Sequence, residues 1–504
     1  TCIYKDKAGP DALKQLHVDF SDGGEFLSGL SGGFCLIIYK NRKLYILNDY
    51  TGLYRIYCDE PRTILSSSLL AVSGALKQKT VSPQELYEYV INGAFYGDRT
   101  PIKEIKLLDS KYIWQVSPAT SGIPKTLKPK GLGEDTSFDE MVGEVSESLI
   151  GYFAALKEAF GSSVCSALSG GFDTRLMLSL MRKVGIKPYL YVYGGKDCED
   201  VKIAKTIAES EGLNLDHIDK NEFPQCDKDR FRELIKRQYY IFDGLPNFGI
   251  FDNGSDANTR IGRTEKAKLQ LNGCGGEIFR NFWNLPEGSF DIVSFLKSKY
   301  DFIDYSILGG DFNKDNYFLS LADKVKYALD TDNDRIDRRQ VEMLYPYFRL
   351  KYWLGINNSI NNQFAYALVP YADTRFIFQS FDIPLKFKNL GLFEAALIRY
   401  IDPALAKYPS IYGFNFSGKP GPLAWAKYFA KISTPISLRP LIRRRLLYRS
   451  KATGLPFYLK DEYVKTVFPL GNLNISKYIN LEKIDDPVIL SRALSAELLI
   501  TEKF

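Results

Sequence analysis

The sequence predicts an α/β protein whose larger domain is built on a parallel sheet and whose first part is rich in β-structure. Three observations carry this. The apolar run Val164 to Leu168 enters the glycine turn Ser169-Gly170-Gly171-Phe172-Asp173-Thr174 and opens into the apolar stretch Arg175 to Met181, which reads as strand, turn, helix. Two more strand signals alternate with helical ones up to Ile218, and β-α-β-α-β order implies parallel pairing with right-handed crossovers. Lys268 to Leu271 then runs into a second glycine cluster, Gly273-Cys274-Gly275-Gly276-Glu277, again strand before turn.

In chain order, residues 1–130 are expected to form a β-rich domain. Phe34 to Tyr39 and Lys43 to Leu47 are β-prone runs joined by Lys40-Asn41-Arg42, a hairpin signal. Leu53 to Tyr57 reads as another strand after the turn at Asp49 to Gly52, and Thr63 to Ser68 follows. Pro83 to Ile91 is expected to be helical with Ser82 as its N-cap. Residues 119–136 read as a linker, and residues 131–504 as the second domain. There, Phe138 to Phe160 has helical periodicity, Pro188 to Tyr193 and Leu213 to Ile218 are strands, and Asp200 to Glu211 is an amphipathic helix. From about residue 225 the chain is mainly helical and aromatic-rich.

The chain has 504 residues, with 45% hydrophobic and 25% charged, ordinary for a globular protein of two or more domains. A net charge of +6 from 66 basic and 60 acidic residues is too mild to argue for nucleic acid. The basic run Arg439 to Arg449 reads as one solvated helix face, with an acidic ligand or a membrane surface as the sharper alternative. Seven cysteines without short paired spacing suggest neither a zinc ribbon nor a disulfide framework and fit a reducing cytoplasm. Two histidines exclude histidine-rich metal sites. No apolar run approaches a membrane span and no signal peptide is apparent at Thr1, so a cytoplasmic protein is expected, free to form a homo-oligomer.

A glycine turn at a helix start aims backbone N–H groups and the positive helix end at one spot, which suits a phosphate. Asp173 adds a carboxylate able to hold a divalent cation against it, and Glu277 supplies a second from the neighbouring turn. ATP with Mg2+ is the expected pairing. Gly413 to Lys419 matches seven positions of a Walker A loop, but Pro420 replaces the Ser or Thr that would ligate magnesium, and no clear strand precedes it. Asp243, Arg260 and Arg263 lie between the two turns, and the arginines could bind an acidic substrate.

Taken with their surroundings, these residues resemble the asparagine synthetase family, with its β-lactam synthetases and lasso-peptide cyclases. Ser169 to Thr174 resembles the pyrophosphate loop, Gly273 to Glu277 the second loop, and Leu368-Val369-Pro370-Tyr371-Ala372-Asp373 the Arg-Val-Pro-Phe-Leu-Asp segment. Ile383 to Lys386 and Tyr412 to Phe414 also find counterparts. Leu30 to Phe34 and Asn48 to Gly52 resemble the glutaminase-like domain. The resemblance implies an ATP-pyrophosphatase (adenine nucleotide α-hydrolase-like) domain behind a degenerate Ntn-hydrolase domain. It implies adenylation of a small carboxylate with release of pyrophosphate, then attack by ammonia or an amine to give an amide. A cyclase or a catalytically altered homologue is the alternative. Leu168, Ser169, Gly170, Gly171, Asp173, Thr174, Gly273, Gly275 and Gly276 would bind ATP and pyrophosphate, Asp173 and Glu277 the metal, and Arg260, Arg263 and Arg280 the acid.

Departures concern the second half-reaction. Cys274 stands where family members carry a Glu or Tyr that helps deprotonate the amine. Ala395 stands where the family has its lysine, four residues before Arg399, so Lys386 or Lys388 would have to substitute. Cys2 follows Thr1, so its nitrogen is tied in a peptide bond, and free ammonia or another amine is the expected nucleophile.

Overall fold

The computed structural model describes residues 2–21, 24–127, 131–133, 135–443, 454–469 and 473–501. Its centre is a five-stranded parallel sheet. The elements that matter for the site are α1 (Phe138–Phe160), β1 (Val164–Ala167), α2 (Phe172–Lys183), β2 (Tyr189–Tyr193), α3 (Glu199–Ser210), β3 (Leu215–Ile218), α4 (Ser255–Lys266), β4 (Leu269–Leu271), β5 (Tyr366–Leu368) and α5 (Leu392–Ile401). The strand order is β3-β2-β1-β4-β5. Ser166 of β1 faces Leu190 of β2 on one side and Leu271 of β4 on the other. The order reverses between β1 and β4, and crevices outside the carboxyl ends of such strands are where α/β sheets bind ligands.

Alternation along the strands explains the two faces. Val164, Leu190, Val192, Leu269 and Leu271 enter the main core, whereas Cys165, Tyr191 and Ala267 form a smaller cluster with Ala167, Tyr189 and Tyr193 at its edge. α1 begins with a capping box, Ser137 and Glu140 each bonding the other's backbone. The main core also draws Leu86, Tyr89 and Phe95 from the first part of the chain and Leu494 and Leu498 from the last helix. A β-rich first part therefore shares its principal core with the rest.

The first 130 residues hold three antiparallel sheets, of three, four and three strands, and the helices Gly9–Asp19, Leu69–Ala75 and Pro83–Asn92. These strands do not establish the glutaminase-like architecture expected there. The hairpin pairs Cys35–Lys40 with Lys43–Asn48, and Asn41 and Arg42 take positive φ (52° and 60°), as a two-residue hairpin turn requires. The strand expected at Leu53 to Tyr57 is displaced to Tyr57–Asp59. The Asp49 carboxylate takes the Leu53 and Tyr54 N–H groups at 3.0 and 2.9 Å and holds that stretch as a loop. Ser82 is the N-cap residue of its helix, as expected, but its hydroxyl donates to Glu85 and makes no capping bond. The expected linker contains a strand, Ser121–Pro124. Thr1 and residues 444–449 of the basic run lie outside the described residues.

Candidate functional site

The Ser169 turn leaves β1 at the point of strand reversal and starts α2, with Gly171 as the N-cap residue in extended conformation. Leu168 is fully buried, and its N–H bonds the Tyr191 carbonyl at 2.9 Å, so it ends the strand as core. The turn is closed by its own side chains. The Thr174 hydroxyl accepts the Ser169 N–H at 3.0 Å and lies 3.0 Å from the Ser169 hydroxyl, which in turn accepts the Gly171 N–H at 3.2 Å. The Gly170 N–H goes to the Asp200 carboxylate at 2.8 Å. The N–H groups left pointing outward are those of the first turn of α2, which no helix satisfies internally.

A distant segment clamps this helix start. Arg175, fully buried, donates to the Tyr408 and Pro409 carbonyls at 2.9 and 2.7 Å, and the Ile411 N–H bonds the Gly170 carbonyl at 3.2 Å. Phe172 is stacked between Tyr412 and Phe416, with centroids at 4.4 and 4.3 Å. The Walker-like stretch from Gly413 thus contributes an aromatic lid rather than a phosphate loop.

The second turn packs directly on the first. A Cβ at Gly273 would stand 3.3 Å from the Thr174 methyl. One at Gly276 would fall on the Asp173 carboxylate and 2.8 Å from Glu394 Oε1, so only glycine leaves room for the two acids. Gly275 takes φ 106°, open to glycine alone.

Between the turns lies a cluster of three carboxylates and one guanidinium. One Arg280 nitrogen donates to both Asp173 oxygens at 2.7 and 2.8 Å. Its Nε lies 2.9 Å from Glu394 Oε2, and Glu277 Oε1 is 3.6 Å away. The Nε–Glu394 approach lacks hydrogen-bond alignment, and the hydrogen-bond partner of the buried Glu394 carboxyl is Asp173. Burial, and then Glu277, pushes Asp173 up to about 6 against the pull of Arg280. Burial, and then Asp173, holds Glu394 protonated well above the usual carboxyl range. Tyr345 donates to Glu277 at 2.5 Å, Tyr371 to the Asp173 carbonyl at 3.0 Å, and Arg280 to Tyr412 at 3.1 Å.

Several expected roles change. Glu277 is engaged by Tyr345 and by the Gly275 N–H at 2.9 Å, and the acid nearest Asp173 across Gly276 is Glu394, from α5. Arg280 is the counter-ion of this cluster rather than a free acid-binding group. Arg260 and Arg263 are buried structural groups. The first pairs with Asp256 at 3.0 Å and Asn361 at 2.7 Å; the second bonds Tyr191 at 2.8 Å and lies on its ring. Asp243 caps the helix Leu69–Ala75 through the Leu69 and Leu70 N–H groups at 2.6 and 3.1 Å. Cys274 is exposed, but packing around its sulfur, and then Glu277 and Asp173, pushes the thiol up to about 12, which removes it as a base at neutral pH. Lys386 is exposed against the Phe387 ring, and Lys388 is buried and locked in an ion pair with Glu342. Neither lysine is a free amine at the cluster.

Magnesium can be tested against these groups. Among the described residues no three acids, cysteines or histidines form a closed metal cage. Such a cage is not what the ion needs, because Mg2+ uses one or two carboxylates plus substrate phosphates. Glu394 is buried beside Asp173, one guanidinium faces three acids, and a cation that displaced the Glu394 proton would find both carboxylates. The oxygen set fits a hard divalent cation.

A cleft of about 490 Å³ opens beside the cluster, lined by Phe172, Arg280, Lys388, Tyr412, Lys427 and Lys431 among others. Glu394 and Tyr345 were not foreseen from the sequence, whereas Tyr371 and Tyr412 lie in segments it singled out without giving them a role. The one acid in the otherwise apolar run Leu392 to Ile398 was the available signal for Glu394.

No helix among the described residues is long and apolar enough to cross a membrane. No family model and no curated protein matches the chain. Among solved structures, it matches a U34-tRNA thiolase, NcsA from Methanococcus maripaludis, with its [4Fe-4S] cluster. The identity is 12%, over 70% of this chain and 96% of that one, and the TM-score of 0.22 is too low to carry an argument. The expected membership of the asparagine synthetase family is corrected: no family model supports it.

Proposed function

We propose that this chain is an enzyme that cleaves ATP between its α and β phosphates, adenylates a small carboxylic acid and passes the acyl group to ammonia or an amine. The observation that carries the reading is the pairing of two turns at the strand reversal. One presents a helix start and the other brings Arg280, and both border the acids Asp173 and Glu394. ATP and the acid are substrates in this reading.

The chain's own groups divide the work. The outward N–H groups at the start of α2, with the positive end of its dipole, receive phosphate oxygens. Arg280 sits where charge develops on the departing pyrophosphate, and as a fixed cation it needs no reorganisation to meet it. A bound divalent cation would be held by Asp173 and Glu394 and would supply charge neutralisation on the triphosphate. The aromatic lid of Tyr412 and Phe416 excludes water from the helix start. The 490 Å³ cleft, with Lys427 and Lys431 at its mouth, is suited to an acid. Amide formation rests on chemistry rather than on an identified base: an acyl-adenylate is consumed by an amine without a further activating step.

The test is magnesium-dependent exchange of labelled pyrophosphate into ATP across a panel of small acids, with AMP and amide analysed as products. Asp173→Asn is expected to lower exchange by at least about 100-fold. Exchange that survives this substitution refutes the assignment of the site.

A further inference from the structure

A second cleft, of about 460 Å³, adjoins the first across Phe282, the one lining residue that the two share. Its lining carries four basic side chains, Lys299, Arg349, Arg443 and Arg492, and one acid, Asp486. That acid is already used: its Oδ1 takes the Val488 and Ile489 N–H groups at 2.8 and 3.0 Å, at the start of the last helix.

The four cations are held by neutral groups. Lys299 donates to the Trp283 carbonyl at 2.6 Å, and Arg443 to the Lys299 carbonyl at 2.7 Å. Arg492 is buried and donates to the carbonyls of Asn247, at 2.6 Å, and Ile91, at 3.0 Å. Arg349 projects from a widened helical segment, Tyr345–Leu354, and lies 4.3 Å over the Trp353 ring. None of the four has a carboxylate partner among the described residues. Gathering like charges in one partly buried hollow costs energy unless a ligand of opposite sign repays it. Burial, and then the nearby Arg439, Lys431 and Arg443, drives Lys299 down to about 7.

Five aromatic residues, Phe282, Trp283, Tyr300, Phe302 and Trp353, make up much of the remaining wall, beside Asn92 and three aliphatic side chains. Flat ring faces and planar guanidinium forks together suit a molecule that has both a ring and anionic groups, since arginine grips phosphate and carboxylate through paired hydrogen bonds. Arg443 also gives a place to the basic run that stood out in the sequence without a role.

We infer that this cleft is a second ligand site, separate from the ATP turns, for a small ring-bearing molecule with two or more negative charges. Its volume admits a molecule of sugar-phosphate size.

Two of the chain's four tryptophans, Trp283 and Trp353, line the cleft, so intrinsic fluorescence reports on it. The full-length protein is titrated with fructose 1,6-bisphosphate, citrate, inorganic phosphate and neutral glucose, followed by fluorescence and calorimetry. A saturable response to fructose 1,6-bisphosphate is expected, stronger than that to the ringless anions citrate and inorganic phosphate, and none to glucose. Arg349→Gln and Arg443→Gln should each weaken it about tenfold, the loss of one charge-assisted contact. Arg443 is exposed, so its substitution leaves folding intact. Asp173→Asn should leave this binding unchanged, which separates failure here from failure of the ATP reading. The inference is overturned if fructose 1,6-bisphosphate gives no saturable response, or if citrate, inorganic phosphate or glucose matches it. It is also overturned if the response is lost in Asp173→Asn but kept in both arginine variants, or if only anionic phosphatidylglycerol vesicles bind.

Discussion

Replacing Glu394 by Gln should stabilise the protein at alkaline pH while disabling it. Glu394 is completely buried, and burial with Asp173 keeps it protonated well above the usual carboxyl range. The unfolded chain ionises this group near pH 4.3, whereas the folded chain retains the proton. The folded state therefore binds more protons, and stability falls as pH rises above the unfolded value. The slope is about 1.4 kcal/mol per pH unit for one such group, for as long as the folded chain holds the proton. Glutamine copies the shape of the protonated acid and cannot ionise, so the variant escapes this loss. Asp173 interacts directly with Glu394, so the comparison reads the titration of the pair. For a chain of this length about 1–2 °C of melting temperature corresponds to 1 kcal/mol. The variant should gain on the parent by about 1–3 °C per pH unit as pH rises above 5, with pyrophosphate exchange lost. A melting difference that does not change with pH, or a variant less stable at pH 8, would show that Glu394 is ionised and held by Arg280, and the argument would fail.

Other substitutions discriminate more locally. Lys388→Met should cost about 1–3 kcal/mol in urea unfolding, less than a fully orphaned ion pair, because Arg338 still reaches Glu342 at 3.0 Å; Lys386→Ala, at an exposed position, should stay within about 0.5 kcal/mol. Asp200→Ala frees the Gly170 N–H and removes a carboxylate from the turn, so pyrophosphate should bind several-fold tighter by calorimetry; weaker binding would mean that Asp200 holds the turn in shape. Cys274→Ser should leave pyrophosphate exchange within about twofold between pH 7 and pH 8.5, since the thiol stays protonated there.

The parts of the site legible in the sequence are those whose geometry is local. A strand, two glycines and a helix start within ten residues, so Ser169 to Thr174 and the Glu277 turn could be read directly. Glu394, Tyr345 and Tyr371 arrive from segments whose local pattern signals only a helix or a short strand, and nothing nearby says what they face. Arg260 and Arg263 were misread for the same reason. A cation in a polar helix looks free until Tyr191, on a strand seventy residues earlier, is folded beneath it. The expected strand at Leu53 failed differently: its β-prone residues are real, but Asp49 captures their N–H groups before a neighbouring strand can.

The contact of Ile411 and Arg175 across the Ser169 turn bears on the order of synthesis. The turn and its helix emerge from the ribosome roughly 240 residues ahead of the segment that closes over them. At 5–20 residues per second, that leaves the buried faces of Phe172 and Arg175 uncovered for about 12–48 s in every molecule made. The Ser169 turn is thus among the first parts of the sheet to be synthesised and among the last to be covered, and a nascent chain interrupted before Tyr408 would display an aromatic ring and an unpaired guanidinium there.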